Sequence, residues 1–183
     1  VEAAGVSVEI WQASSFAMPD GIGPFRLVTM GRSFHWTDRA KTLRTLDHLV
    51  SPGGGVASLG DTVIRSSETA WRDEWLKIMD DYGGSMRERR IENGVFRADE
   101  ALLLESRFSR LTRISTLFRR EIDTDEVLGR SYSMSRTSKE RLGVRLDEFD
   151  GRMRDMLAKH AKNGLVTEYG EVYALIGQRE GEG

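Results

Sequence analysis

The 183-residue sequence predicts an α/β fold on a doubly wound sheet flanked by helices, and three observations carry that expectation. Short apolar runs alternate with glycine and proline punctuation in the front part of the chain. There the order is strand, connection, strand, helix, strand, which is how parallel sheets with crossover helices are written in sequence. The remainder is richer in charge and in helical spacing, and it ends on strand-forming residues flanked by a long helix.

The elements follow in order. Val6 to Gln12 (VSVEIWQ) has the β-branched and aromatic content of a strand. Pro19-Asp20-Gly21 marks a turn. Phe25 to Met30 (FRLVTM) is a second strand, mostly apolar, as expected when both faces are covered. Thr37 to Val50 is a helix: Leu43, Leu46, Leu49 and Val50 recur at spacings of three and four, and Thr37 or Asp38 can cap it. Ser51 to Gly55 (SPGGG) stops it, and Val56 to Gly60 is a third short strand. A right-handed crossover is expected between the parallel strands.

Ser67 to Tyr82 reads as a helix with Trp71, Trp75, Ile78 and Met79 on one side. Phe108 to Phe118 reads as a strand, and Thr124 to Gly129 and Ser138 to Leu142 as short helices. Val144 to Ala161 is a longer helix with Phe149, Met153, Met156, Leu157 and Ala161 along a stripe. Asn163-Gly164 closes it, and Leu165 to Gln178 is strand material with a kink or bulge at Gly170. No internal repeat or linker divides the chain, so one domain is expected over 1–183.

Composition narrows the function. With 39% hydrophobic and 31% charged residues the chain is globular rather than disordered. Lys plus Arg number 27 and Asp plus Glu 29, a balance that favours neither nucleic acid nor an anionic membrane. No cysteine is present, which excludes disulfides, thiolate metal sites and a cysteine nucleophile and fits a cytoplasmic setting. No apolar run approaches the roughly 18 residues of a membrane span. His35, His48 and His160 are scattered, so no metal site is expected; His48 and His160 read as surface residues on helices. Arg87 to Arg90 (RERR) reads as a solvated helix end.

The run from Pro24 to Gly60, PFRLVTMGRSFHWTDRAKTLRTLDHLVSPGGGVASLG, carries a more specific signal. Its Ser33-Phe34-His35-Trp36 tetrapeptide after a strand, followed by a helix and Pro52-Gly53-Gly54, resembles the branch of class I S-adenosylmethionine-dependent methyltransferases related to ubiquinone and menaquinone biosynthesis. WQASSFAMP, Trp11 to Pro19, is similar to that family's third-strand segment, and Arg130 to Ser138 (RSYSMSRTS) to part of its C-terminal half. The resemblance implies a sheet entered at the third strand, with antiparallel strands at its C-terminal side. The opening strand, the glycine-rich turn and the ribose-binding acid that it calls for are not among these residues. A sheet so entered presents an open edge, and self-association through that edge is expected.

The resemblance also implies a site. In an open α/β sheet ligands bind beyond the carboxyl ends of the strands. Ser14, Ser15 and Phe16 would meet the adenine of S-adenosylmethionine, and Met30 and Gly31 would flank the cofactor, with Gly31 allowing close backbone approach. Phe34 and Trp36 would wall the cleft toward a small-molecule acceptor, and Tyr132, Ser133 and Ser135 would lie over that acceptor. His35 is the candidate general base, since imidazole titrates near neutrality, and a hydrogen-bonded structural role is its alternative. Trp36 is either a packing wall or a partner of the sulfonium. Methyl transfer from a sulfonium needs mainly in-line positioning, so no stronger catalytic motif is required. The rival reading is a non-catalytic, degenerate module that kept the scaffold for binding or interaction. A short-chain oxidoreductase is disfavoured because no Tyr-x-x-x-Lys spacing occurs.

Overall fold

A computed structural model describes residues 5, 7–15, 17–85 and 98–179. It is a mixed α/β fold with one four-stranded sheet. The chain order is β1 (Phe25–Gly31), α1 (Arg39–Leu49), β2 (Val50–Val63), α2 (Trp71–Gly83), α3 (Asp99–Leu104), β3 (Arg110–Asp123), α4 (Thr124–Ser133), α5 (Lys139–Leu142), α6 (Leu146–His160) and β4 (Leu165–Gln178). Strands lie in the order β1-β2-β4-β3. β1 and β2 are parallel, with Val28 beside Val56 and Gly31 beside Leu59. β4 runs antiparallel to β2, because its partners fall from Arg179 at Gly54 to Tyr169 at Ile64. It is also antiparallel to β3, where Phe118 lies against Gly170 and Thr124 donates to the Gly164 carbonyl.

The helices obey local rules. Asp38 rather than Thr37 caps α1, its carboxylate accepting from the Lys41 amide at 3.0 Å. Asp123 caps α4 through the Asp125 amide at 2.7 Å, and Ser138 caps α5. α6 begins at Leu146 and ends at His160, inside the expected span.

Several expectations are corrected. Residues 7–12 form no strand, although their sequence favours one: no second strand among the described residues pairs with them, and β-propensity counts only where a ladder and a packed face receive it. The third predicted strand starts earlier, at Val50, directly after α1. Between Phe25 and Leu27 the partner residue advances from Val50 to Gly55, so two steps on β1 face five on β2. Pro52, Gly53 and Gly54 therefore form an extended bulge within β2 rather than a turn before it; Gly53 takes φ 72°, and proline has no ladder donor to lose. The Ser67 to Tyr82 helix is a 3-10 turn, Ser67–Thr69, followed by α2. The 108–118 strand is Arg110–Asp123, and the helix expected to end at Gly129 continues to Ser133. β4 matches its expected span, and it is unbroken at Gly170, where an aromatic ring covers the backbone.

The chain divides into two compact units. One comprises Val1–Leu59, Ala98–Arg113 and Ala174–Gly183; the other comprises Gly60–Arg97 and Ile114–Tyr173. In the first unit α1 buries Leu43 and Leu46, α3 buries Leu102 and Leu103, and Phe108 is fully buried against the Gly177 backbone of β4. Arg39 of α1 reaches Asp99 of α3 at 2.6 Å. Arg179 donates to the carbonyls of Asp47 and Val50, tying the end of α1 to the start of β2.

In the second unit the predicted stripes of α2 and α6 face one core. Trp71, Trp75 and Met79 are buried there with Phe149, Met153 and Leu157. The Trp75 indole donates to Ser131 at 2.8 Å, and Ser131 donates to the Val127 carbonyl, so no polar group in that chain is stranded. Glu168 on β4, 4% exposed, receives Arg72, Arg120 and Arg130, each at 2.7 Å. A buried carboxylate is tolerated only with such pairing. His160 does have a partner, Glu74 of α2 at 2.9 Å, which the sequence reading did not foresee.

No helix among the described residues is long and apolar enough to cross a membrane. The predicted helix end at 87–90 lies outside the described residues.

Candidate functional site at the carboxyl end of the first strand

β1 ends at Gly31, and the chain leaves it by an unusual turn. Arg32 takes φ 51°, a left-handed conformation that a non-glycine residue adopts at a cost of about 1 kcal/mol or more. Its amide donates to the Leu59 carbonyl of β2 at 3.0 Å, which holds the turn against the neighbouring strand. Phe34–Trp36 then form a 3-10 turn. The Thr37 hydroxyl closes it on the Phe34 carbonyl at 2.9 Å, and Asp38 starts α1.

This local folding sorts the aromatic residues. Phe34 is 1% exposed and anchors the turn from beneath, while Trp36 is 72% exposed. The His35 ring lies 4.9 Å from the Trp36 ring, tilted by 42°. His35 is itself exposed and Met30 half-buried. Beside Gly31 the space that a Cβ would occupy has no atom within 4 Å, so a ligand can approach that backbone.

The serine segment meets the start of α1. Ser14 and Ala17 form an isolated bridge, with the Ala17 amide on the Ser14 carbonyl at 3.1 Å. Ser15 accepts from the Thr42 hydroxyl at 3.4 Å, and Thr42 lies in the first turn of α1. Ser15 therefore lies against the first turn of α1, the helix that follows the His35 turn in the chain. Phe16 lies outside the described residues. The sequence reading placed the serines after a strand; they instead follow extended chain without a ladder.

The three residues expected over an acceptor belong to the second unit. Tyr132 and Ser133 lie in the last turn of α4, not in a loop. The Tyr132 hydroxyl donates to Asp150 at 2.6 Å, and its ring stands 5.8 Å from Phe149. Burial first, then the Asp150 carboxylate, pushes its phenol up to about 12. Ser133 donates to the Arg130 carbonyl, and Ser135 is exposed. Tyr132 and Ser133 are thus engaged in holding α4. Arg136, from the same polar segment, is buried on Asp80 and the Gly84 carbonyl.

Sequence reasoning missed two participants at the β1 end. Thr42 was seen only as a helix residue, and its hydroxyl matters through a contact 27 residues away. The strain at Arg32 had one weak signal, a Gly-Arg-Ser break after an apolar strand. Among the described residues no group of three or more histidine or acidic side chains could hold a metal ion.

The chain is similar to several solved structures. YcgJ of Bacillus subtilis matches 100% of this chain and 75% of its own, at 16% identity and a TM-score of 0.47. A proposed methyltransferase of Bacillus halodurans matches 92% and 70%, at 12% identity and 0.46. The [4+2]-cyclase SpnF matches 100% and 61%, at 13% identity and 0.43. Scores this low carry neither a family nor an activity to this chain. No family model matches it, and no curated protein sequence matches it.

Proposed function

We infer that this chain carries the adenine side of an S-adenosylmethionine site in a methyltransferase acting on a small molecule. The supporting observation is the turn leaving β1. A strained Arg32, an open Gly31 backbone and an exposed Trp36 stand at the carboxyl end of a parallel strand. That is where ligands enter open α/β sheets, and backbone strain of this kind clusters at functional sites. The same residues carry the sequence resemblance to the methyltransferase branch.

The donor set suits a purine. The Ser15 hydroxyl accepts from Thr42, which leaves its own proton to donate to a ring nitrogen. The Trp36 indole offers an exposed flat face. For the ribose and the methionine end the described residues offer no matching set: the Asp38 carboxylate caps α1, and β1 runs into Gly31-Arg32-Ser33 rather than a glycine-rich turn. The described residues would therefore serve the adenine side.

S-adenosylmethionine, when bound, supplies a methyl group on a positively charged sulfur. The chain's part is to orient the partners, an effect that reaches about 7–11 kcal/mol in well-aligned reactions. His35, beside Trp36, would accept the proton of an acceptor that arrives protonated, which is worth roughly 10²–10⁴-fold. Phe34 supports the turn and Met30 its strand end. Trp36 would also face the acceptor.

Adenosine and S-adenosylhomocysteine, titrated into the isotopically labelled chain, test this directly. Amide shifts should concentrate at Ser15, Gly31 and Ser33 to Trp36. Absence of shifts at millimolar ligand, or shifts confined to α2, α4 and α6, would overturn the reading.

A further inference from the structure

β3 closes one side of the sheet, and among the described residues nothing pairs with its outer edge. It is 14 residues long, and residues 112–117 are exposed on both faces, with Ile114 60% and Leu117 68% exposed. A long exposed edge is a template for another strand. The phase of its backbone follows from its partner. The Thr124 amide donates to the Gly164 carbonyl, and antiparallel pairs alternate between bonded and unbonded. Ile122, Arg120 and Phe118 therefore turn their amides and carbonyls toward β4, consistent with Arg120 meeting Glu168 and Phe118 lying on Gly170. The odd-numbered residues Arg113, Ser115, Leu117, Arg119 and Glu121 turn theirs outward.

We propose that this edge pairs with the same edge of a second copy, antiparallel and centred on Leu117. The two-fold register places Leu117 beside its own mate, Ser115 beside Arg119 and Arg113 beside Glu121, all through outward-facing backbone groups. The Arg113–Glu121 match occurs twice. A slip of one residue would set inward-facing groups against outward-facing ones and forfeit the ladder. A slip of two in one direction would set Arg113 against Arg119. Within one copy Arg113 reaches Glu100 at 3.4 Å, and Glu121 reaches Arg119 at 3.8 Å. The occupant is thus a second copy rather than an unrelated strand, since the edge is complementary in charge to itself. A two-fold contact of this kind closes on itself and gives a dimer, not a fibre.

Sedimentation velocity over a dilution series tests the pairing. The wild-type chain should dissociate from dimer to monomer on dilution. Arg113→Glu should weaken the dimer about tenfold or more, since cross-strand like charges replace two attractive pairs. Adding Glu121→Arg to it should restore the dimer. Leu117→Pro removes only an outward amide, so circular dichroism should report the folded sheet while the dimer is lost. A chain that stays monomeric at every concentration overturns the proposal. So does a dimer indifferent to both Arg113→Glu and Leu117→Pro, or a double variant no better than the single one. None of these outcomes bears on ligand binding at the β1 end.

Discussion

Arg72 and Glu168 lie 96 residues apart in sequence and meet at 2.7 Å between α2 and β4, with the carboxylate almost wholly out of water. Arg130 shares the same carboxylate oxygen, and Arg120 takes the other. The Arg72 guanidinium also stands over the rings of Trp71 and Trp75, at 5.3 and 5.4 Å. One acid thereby joins α2, β3, α4 and β4 of the second unit.

Replacing Glu168 should therefore be costly. Loss of one member of a buried ion pair typically removes about 3–5 kcal/mol. Arg120 and Arg130 are partly solvated, with side chains 48% and 30% exposed, so Glu168→Ala is expected to cost less than that range, about 2–3 kcal/mol. Urea unfolding followed by tryptophan fluorescence reads this, and a loss below 1 kcal/mol would contradict it.

The same group shapes the acid limb of stability. Burial pushes the Glu168 carboxyl upward, but the hydrogen bond from Arg120 and the charge and hydrogen bond of Arg130 outweigh it and hold the group below the ordinary carboxylate value of 4.5. A depressed carboxylate contributes stability that is full above its unfolded value and is lost as pH falls through the folded one. Wild-type stability should therefore decline below pH 4.5, and Glu168→Gln should flatten that part of the profile.

Tyr132 sets a signature at the alkaline end. Its phenol is raised to about 12 by burial and by Asp150. The sign is that of a raised acid: the stabilisation is complete below the unfolded value near 10 and disappears as pH climbs toward 12. Ultraviolet titration should show a late ionisation that is absent in Tyr132→Phe. That variant should also lose about 1 kcal/mol through the missing hydrogen bond.

Two glycines on neighbouring strands should respond differently to alanine. A Cβ on Gly170 would fall 2.5 Å from the tip of the Phe118 ring, and that ring can tilt. A Cβ on Gly55 would meet the Gly177 carbonyl at 2.8 Å, and backbone cannot move without breaking the ladder. Gly170→Ala is expected to cost about 1–2 kcal/mol and Gly55→Ala more than 3 kcal/mol, judged by the usual cost of overpacking. Thermal melting of both variants checks the order, and Phe118→Leu should relieve the first but not the second.

Trp36 separates the ligand reading from packing. At 72% exposure, Trp36→Ala should change stability by no more than about 0.5 kcal/mol while abolishing any adenosine-induced shift at Gly31. Trp71, 2% exposed and hydrogen-bonded to the Thr167 carbonyl, should cost about 3–5 kcal/mol on truncation.

The sequence by itself determined the elements whose signals are local. Helix periodicity and the Asp38 cap located α1, and the stripes on α2 and α6 named their buried residues, because a helix satisfies its own backbone. Leu165 to Gln178 could be bounded because Asn163-Gly164 starts it. The tertiary structure alone decided what depends on a partner distant in the chain. Residues 7–12 have strand-like composition but no ladder, and a strand exists only where another supplies its hydrogen bonds. Pro52 to Gly54 look like a turn until the β1 register shows them as a bulge. Ser15 gained a place beside α1 only through Thr42, and Tyr132 lost its presumed freedom only through Asp150. Glu168 appeared as one charged residue in a strand, since nothing local reveals three arginines folded onto it from 38, 48 and 96 residues away.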